Sequence, residues 1–178
     1  MIFEFTAPTV AKSDKPFDVH ENGEYIGSIS RFFTNPQTRT PHYDVNLHIH
    51  DAEDNHYRII QNSFTMLKGG EWEVKKGEQT IGSIRNSDNL FQAHEIEIDI
   101  EGCPTFSIKG TFSRKGKILN SEREEVGETY RTTYVKRTYE GEINDSFLGE
   151  SMPILFYGII HFFWCGFPGD AKHSSKKS

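Results

Sequence analysis

The chain has 178 residues, 26% of them charged and 35% hydrophobic, with a formal net charge of −6. That length suits one domain with one core, burying roughly two-thirds of the surface of the unfolded chain, and the composition excludes a disordered polymer. The negative balance argues against nucleic-acid binding through counterion release, so an anion site has to be a local concentration of Lys and Arg.

Fourteen Phe residues make rings as important as aliphatics in the interior. Cys103 and Cys165 are too few for a disulfide framework and too far apart for a CxxC zinc motif, so two buried or structural thiols and a reducing compartment are expected. The start, Met1 to Thr6, has neither a positive n-region nor a long apolar run. No signal peptide is expected there, and the predicted location is the cytoplasm.

The first predicted element is a hairpin, Phe17-Asp-Val-His-Glu-Asn-Gly-Glu-Tyr-Ile-Gly-Ser-Ile29, with Asn22-Gly23 as its turn. It recurs 55 positions later as Trp72-Glu-Val-Lys-Lys-Gly-Glu-Gln-Thr-Ile-Gly-Ser-Ile84. In each copy the Gly of Ile-Gly-Ser-Ile marks a place where a neighbouring backbone or bulky side chain comes close. Two copies fall short of a solenoid and point to two similar parts of one sheet system.

Between them, Tyr43 to His50 alternates with period two, Asp51 to Asn55 supplies turn chemistry, and His56 to Ile60 returns as a further hairpin. His48 and His50 share one strand face, with His56 beside the turn. A metal site of His48, His50 and His56 is therefore one reading, and an ordinary Asp/Asn-rich turn, including Asp51 and Asp54, is the other.

After Trp72–Ile84, His94 to Glu101 gives the cleanest alternation: Ile96, Ile98 and Ile100 on one face and Glu95, Glu97, Asp99 and Glu101 on the other. Thr105 to Phe112 alternates again. Lys115 to Gly127 is polar and charged and is expected to be an exposed loop or long turn, and Thr129 to Ile143 returns to strand-favouring residues. The basic residues Lys109, Arg114, Lys115 and Lys117, with Arg131, Lys136 and Arg137 on a later segment, are the candidate anion site. A solvated barrel wall is the alternative reading.

The last element is the apolar stretch Pro153 to Phe167, about 22 Å long as a helix at ~1.5 Å per residue, short of the roughly 30 Å core of a bilayer. A helix apolar on every face must be buried, and a β-barrel closing around it satisfies that need. Ser151 is its expected cap, with Gly166 and Pro168 as its stop. His161 within it is expected to be neutral and bonded to a buried strand group. No Walker loop, dinucleotide fingerprint or zinc-protease motif is present, and Gly149-Glu-Ser-Met-Pro153 lacks the second Gly of a nucleophile elbow.

The order Lys15-Pro-Phe-Asp-Val, Glu21-Asn-Gly-Glu, Ile26-Gly-Ser-Ile-Ser-Arg-Phe-Phe-Thr-Asn35, then Trp72-Glu-Val with Ile81-Gly-Ser-Ile84, then the terminal apolar helix, resembles the bacterial branch of the tubby C-terminal-like superfamily. That group includes LURP-one-related and phospholipid-scramblase-like proteins. The resemblance implies a closed antiparallel barrel of about twelve strands around the buried C-terminal helix, about 151–165, in a domain spanning 1–168, with 169–178 a disordered polar tail. It also implies a non-enzymatic binding module without a cofactor, for an anionic membrane lipid or a protein, peripheral at the membrane, since tubby domains bind phosphoinositide headgroups at a basic surface site. Two rival readings are a tail anchor through 153–167 and a small metal-dependent hydrolase built on the His48/His50 region.

Overall fold

Alternation of buried and exposed side chains is what makes most of this chain strand. The computed structural model describes residues 1–37, 43–65, 68–86, 94–111, 114–132, 136–144, 147 and 153–166. In chain order they form β1 (Ile2–Ala7), β2 (Phe17–Glu21), β3 (Glu24–Phe32), β4 (Asn46–Asp51), β5 (His56–Thr65), β6 (Gly69–Lys76), β7 (Gln79–Asn86), β8 (Glu95–Ile100), β9 (Phe106–Gly110), β10 (Lys115–Asn120), β11 (Glu125–Arg131), β12 (Arg137–Ile143) and one long helix, α1 (Pro153–Gly166). In β8, Ile96, Ile98 and Ile100 line the core while the carboxylates between them face water.

Strands β2 to β12 run as an antiparallel meander, and β1 adds to the far side of β12, giving one twelve-stranded sheet. The ladder ends, β1 and β2, meet at a seam that closes the barrel without ladder pairing. Rings bridge it: Phe5 of β1 stacks on Phe17 of β2 with centroids 6.2 Å apart. Phe17 also meets His161 of α1 edge-on at 5.0 Å. Phe3, Phe5 and Ala7 give β1 its buried face, an alternation unnoticed at the start of the sequence.

The helix fills the bore. Every residue from Ile154 to Cys165 is buried, as an all-round apolar helix requires. Among the described residues no helix is long and apolar enough to cross a membrane. The tail-anchor reading of 153–167 is therefore corrected: α1 is shielded by sheet, not by lipid. Ser151, Phe167, Pro168 and the tail 169–178 lie outside the described residues.

The Ile-Gly-Ser-Ile repeat has a mechanical cause. In β2–β3 the register shifts after Val19, whose partner is Gly27, and in β6–β7 it shifts after Val74, whose partner is Gly82. A bulge pushes the partner strand's neighbours together, and a Cβ at Gly82 would collide with the Asp99 carbonyl oxygen and lie 2.8 Å from Ile100 Cα. A third such hairpin, β10–β11, shifts after Ile118, whose partner is Gly127. These three hairpins with a glycine at the shift recur every fourth strand around the barrel, while β5–β6 shifts register after Gln61 without one.

That third hairpin corrects the expectation of a loop over Lys115 to Gly127: it is β10, a turn and the start of β11. Its polar residues face outward, while Gly116 and Ile118 point to the core. A wall strand with one wet face looks loop-like in composition when its inward residues include glycine.

The meander also sorts charge. The tight turns β2–β3, β4–β5, β6–β7, β8–β9 and β10–β11 all lie at one end, with Glu21, Glu24, Asp51, Glu53, Asp54, Glu78, Glu101, Glu122 and Glu124 set against Lys76 and Arg123. At the other end, among the described residues, Lys12, Lys15, Arg31, Lys68, Arg85, Arg114, Lys115, Arg131, Lys136 and Arg137 are set against Asp14, Asp44 and Glu95. Helix α1 starts at the acidic end, where Ile154 lies over Gly27, and finishes at the basic end, where His94 Nε2 donates to the Phe163 carbonyl at 3.2 Å. Its dipole, positive at the N-terminus, opposes the charge at each end, an arrangement that stabilises both.

Candidate functional site

The seven basic residues expected to form an anion site separate into three groups, by strand face for some and by place at the barrel end for others. Lys109 on β9 and Lys115 and Lys117 on β10 stand on the outer wall. Lys109 and Lys117 are register partners, and Lys109 also faces Glu95. Lys117 pairs with Glu125 at 2.9 Å. Lys115 pairs with Glu128, whose hydrogen bond raises the ammonium's pKa, and lies 5.3 Å over the Tyr130 ring. Glu128 is lowered in turn, first by Lys115 and then by Tyr130. These lysines belong to a charge-balanced wall.

Arg114, Arg131 and Lys136 form the second group, on the rim of the basic end. The Arg114 carbonyl accepts the Arg131 backbone N–H at 3.2 Å, which fixes the two guanidinium stems beside one another. Burial holds Arg131 below its usual value; Tyr139 opposes this, and the like charges of Arg137 and then Arg114 lower it further. Positive charge is crowded at this rim. Lys136 is exposed immediately before β12.

Arg137 is the third case. It points inward, 7% exposed, with Nη2 donating to Cys165 Sγ at 3.7 Å and Nη1 to the Pro8 carbonyl at 3.5 Å. Burial works against its charge, but Cys165 and Tyr139 outweigh it and raise the guanidinium. A second inward arginine, Arg31 on β3, was missed from the sequence. It is 4% exposed and bridges two connections, donating to the Ala11 carbonyl at 2.8 Å and the Asp44 carbonyl at 3.1 Å. The signal was its parity: Ile29, Arg31 and Phe33 all point inward.

Beneath these arginines, His161 meets Cys165 one helical turn on, Nε2 to Sγ 3.4 Å. This replaces the expected bond to a strand group. Burial alone would raise the Cys165 thiol; His161, Arg31 and Arg137 outweigh it and hold it well below the ordinary value. The Cys165 thiol thus sits against the buried Arg137 guanidinium, whose Nη2 donates to it. Cys103 is half-buried and its thiol is pushed up by burial, the behaviour expected of an inert structural cysteine.

The histidine cluster forms, but not as a ligand set. His48 Nδ1 and His56 Nε2 are 3.0 Å apart, and the His50 and His56 rings stack at 4.3 Å with planes 4° apart. Ring lone pairs lie in the ring plane, so stacked imidazoles do not aim at one point between them. Asp51 is engaged in its own turn, accepting the backbone N–H groups of Glu53 at 2.9 Å and Asn55 at 2.7 Å. Among the described residues no group of three or more His, Cys, Asp or Glu could hold a metal ion. Burial, then His50 and Arg58 among their neighbours, lower both His48 and His56, so the pair favours the neutral form.

A cleft of about 530 Å³ at the acidic end is lined by Met1, Ile2, Val126 and Ile143 with Glu125, Glu128 and Glu142, a lining unsuited to an anion. Arg114, Arg131 and Lys136 belong to the opposite end of the barrel, the end to which Arg31 and Arg137 also belong.

Comparison with known proteins agrees with the architecture. The family described as Tubby C-terminal like domain matches residues 3–166, from β1 to the last residue of α1. No curated protein and no solved structure matches the chain significantly. A twelve-stranded antiparallel barrel closed around its own C-terminal helix, matched over nearly its whole length, makes this chain a member of the Tubby C-terminal like domain family.

Proposed function

We propose that this barrel is a non-enzymatic binding module that takes the anionic headgroups of a membrane surface at its basic end, working as a peripheral protein on the cytoplasmic face. The observation that carries the reading is the axial separation of charge: carboxylates occupy the tight turns, and Arg114, Arg131 and Lys136 belong to the opposite end of the barrel. A chain of net charge −6 is repelled by an anionic surface from most directions, and a polarised one approaches it end-on. Tubby domains bind phosphoinositides, which supports the same chemistry. Each Lys or Arg near an anionic leaflet contributes about 1 kcal/mol.

Sedimentation with phosphatidylcholine vesicles, with and without phosphatidylserine, tests the reading. Binding is expected only with the anionic lipid, weakening as salt rises. The paired substitution Arg114→Glu and Lys136→Glu is expected to lower it by roughly a hundred-fold. Lys109→Glu with Lys117→Glu, on the wall, changes it by less than about three-fold. Equal binding to both vesicle types, or loss only in the wall variant, would refute the assignment.

A further inference from the structure

The connection between β1 and β2, residues 8–16, crosses the basic end and carries an exposed apolar side chain. Val10 is 63% exposed at the tip of a turn closed by the Ser13 N–H donating to the Val10 carbonyl at 3.0 Å. Lys12 and Lys15 follow it, both exposed, with Asp14 between them offsetting one charge. The Lys15 N–H donates to Ser13 Oγ at 3.2 Å, which continues the tight path of the loop.

Two buried guanidiniums brace this loop from below. Arg137 holds the Pro8 carbonyl and Arg31 holds the Ala11 carbonyl, one on each side of Val10. Arg31 also holds the Asp44 carbonyl, next to Tyr43, which is 49% exposed. The same guanidinium therefore tethers the chain beside Val10 and Tyr43, the exposed large hydrophobics of this end among the described residues. An aliphatic tip flanked by lysines, beside a half-exposed tyrosine, has the composition of a membrane-interface element: the apolar group enters the acyl boundary, the lysines meet phosphates, and the tyrosine sits at headgroup level.

We infer that the 8–16 loop is a lipid-insertion loop, with Val10 as its wedge and Tyr43 as its interfacial partner, docking the basic end onto an anionic bilayer. The inference rests on the proposed membrane-binding role and adds which residues enter the lipid. Charge complementarity selects the bilayer as occupant, and the braced backbone means that little ordering entropy is lost on insertion.

The test places an environment-sensitive fluorophore on Val10→Cys or, at the acidic end, on Ala52→Cys, each in the full chain carrying Cys103→Ser. Phosphatidylserine-containing vesicles are expected to blue-shift the label at position 10 and leave that at position 52 unchanged. The neutral substitution Val10→Ser is expected to weaken vesicle binding roughly ten-fold, while Val10→Leu retains it. Because Val10 is exposed, unchanged thermal melting of these variants separates binding from folding. If the protein sediments with anionic vesicles but the label at position 10 does not shift, the insertion loop is wrong and the headgroup reading stands. If it sediments with no anionic vesicle, both are overturned.

Discussion

Phe163→Ala is expected to cost about 3–5 kcal/mol, a large share of the roughly 5–15 kcal/mol that holds a domain of this kind together. Phe163 is fully buried in α1, 4.8 Å from the His94 ring and 5.2 Å from Trp164 by centroids. It occupies the space left by a missing side chain on the wall: a Cβ at Gly116 would lie 2.9 Å from Phe163 Cε1. The wall is hydrogen-bonded from β2 round to β1, with only the β1–β2 seam unpaired, and resists collapse into the gap, so the cavity term adds to the lost transfer energy. Urea unfolding followed by tryptophan fluorescence reports it, since Trp164 donates from Nε1 to Thr129 Oγ1 at 3.1 Å and senses the same contact. A loss below about 1 kcal/mol would mean that the ring is not enclosed.

Gly82→Val is expected to be nearly as damaging, about 3 kcal/mol or more, by overpacking rather than by a void. The new side chain meets the Asp99 carbonyl oxygen and Ile100 Cα on β8, both backbone, so no rotamer change relieves the contact. Moving β8 would break its pairing with β7 from Gly82 to Asn86. The adjacent Ser83→Val is the control and should change stability by less than about 1 kcal/mol. Thermal melting of both variants checks the pair; equal effects would remove the close-approach account of the repeat.

The difference between Gly82 and Ser83 also shows what the sequence made legible. Ile-Gly-Ser-Ile was recognisable twice because an apolar pair framed each glycine. The third bulge, at Gly127, has Val126 and Glu128 as neighbours and carries no such frame. The physical requirement is only a glycine opposite a register shift, and a register shift is a property of two strands, invisible in either one alone. The terminal helix was legible because apolarity on every face has few solutions. The short first strand, although it alternates through Phe3, Phe5 and Ala7, has no hairpin partner nearby in sequence, since its partner β12 begins at Arg137.

For the candidate site, the basic residues were legible as a set but not as a surface. Lys115 and Lys117 share a parity opposite to Gly116 and Ile118, which sends them to the wall, where Glu128 and Glu125 meet them across a hairpin. Arg137 has the parity of Tyr139 and goes inside, where its Nη2 donates to the Sγ of Cys165, far away in sequence. Arg31 was passed over because arginine in a strand ordinarily reads as solvent-facing. The polarity of the two barrel ends follows from strand order alone, and the order of the strands was the step that the residues did not specify.

Native-state hydrogen exchange at the amides of α1 tests the barrel-and-plug arrangement most directly. Residues 154–165 should exchange only through global unfolding, with the same free energy as the urea transition. Exchange through a lower-energy opening would show that the helix leaves the barrel without unfolding it and would contradict the account.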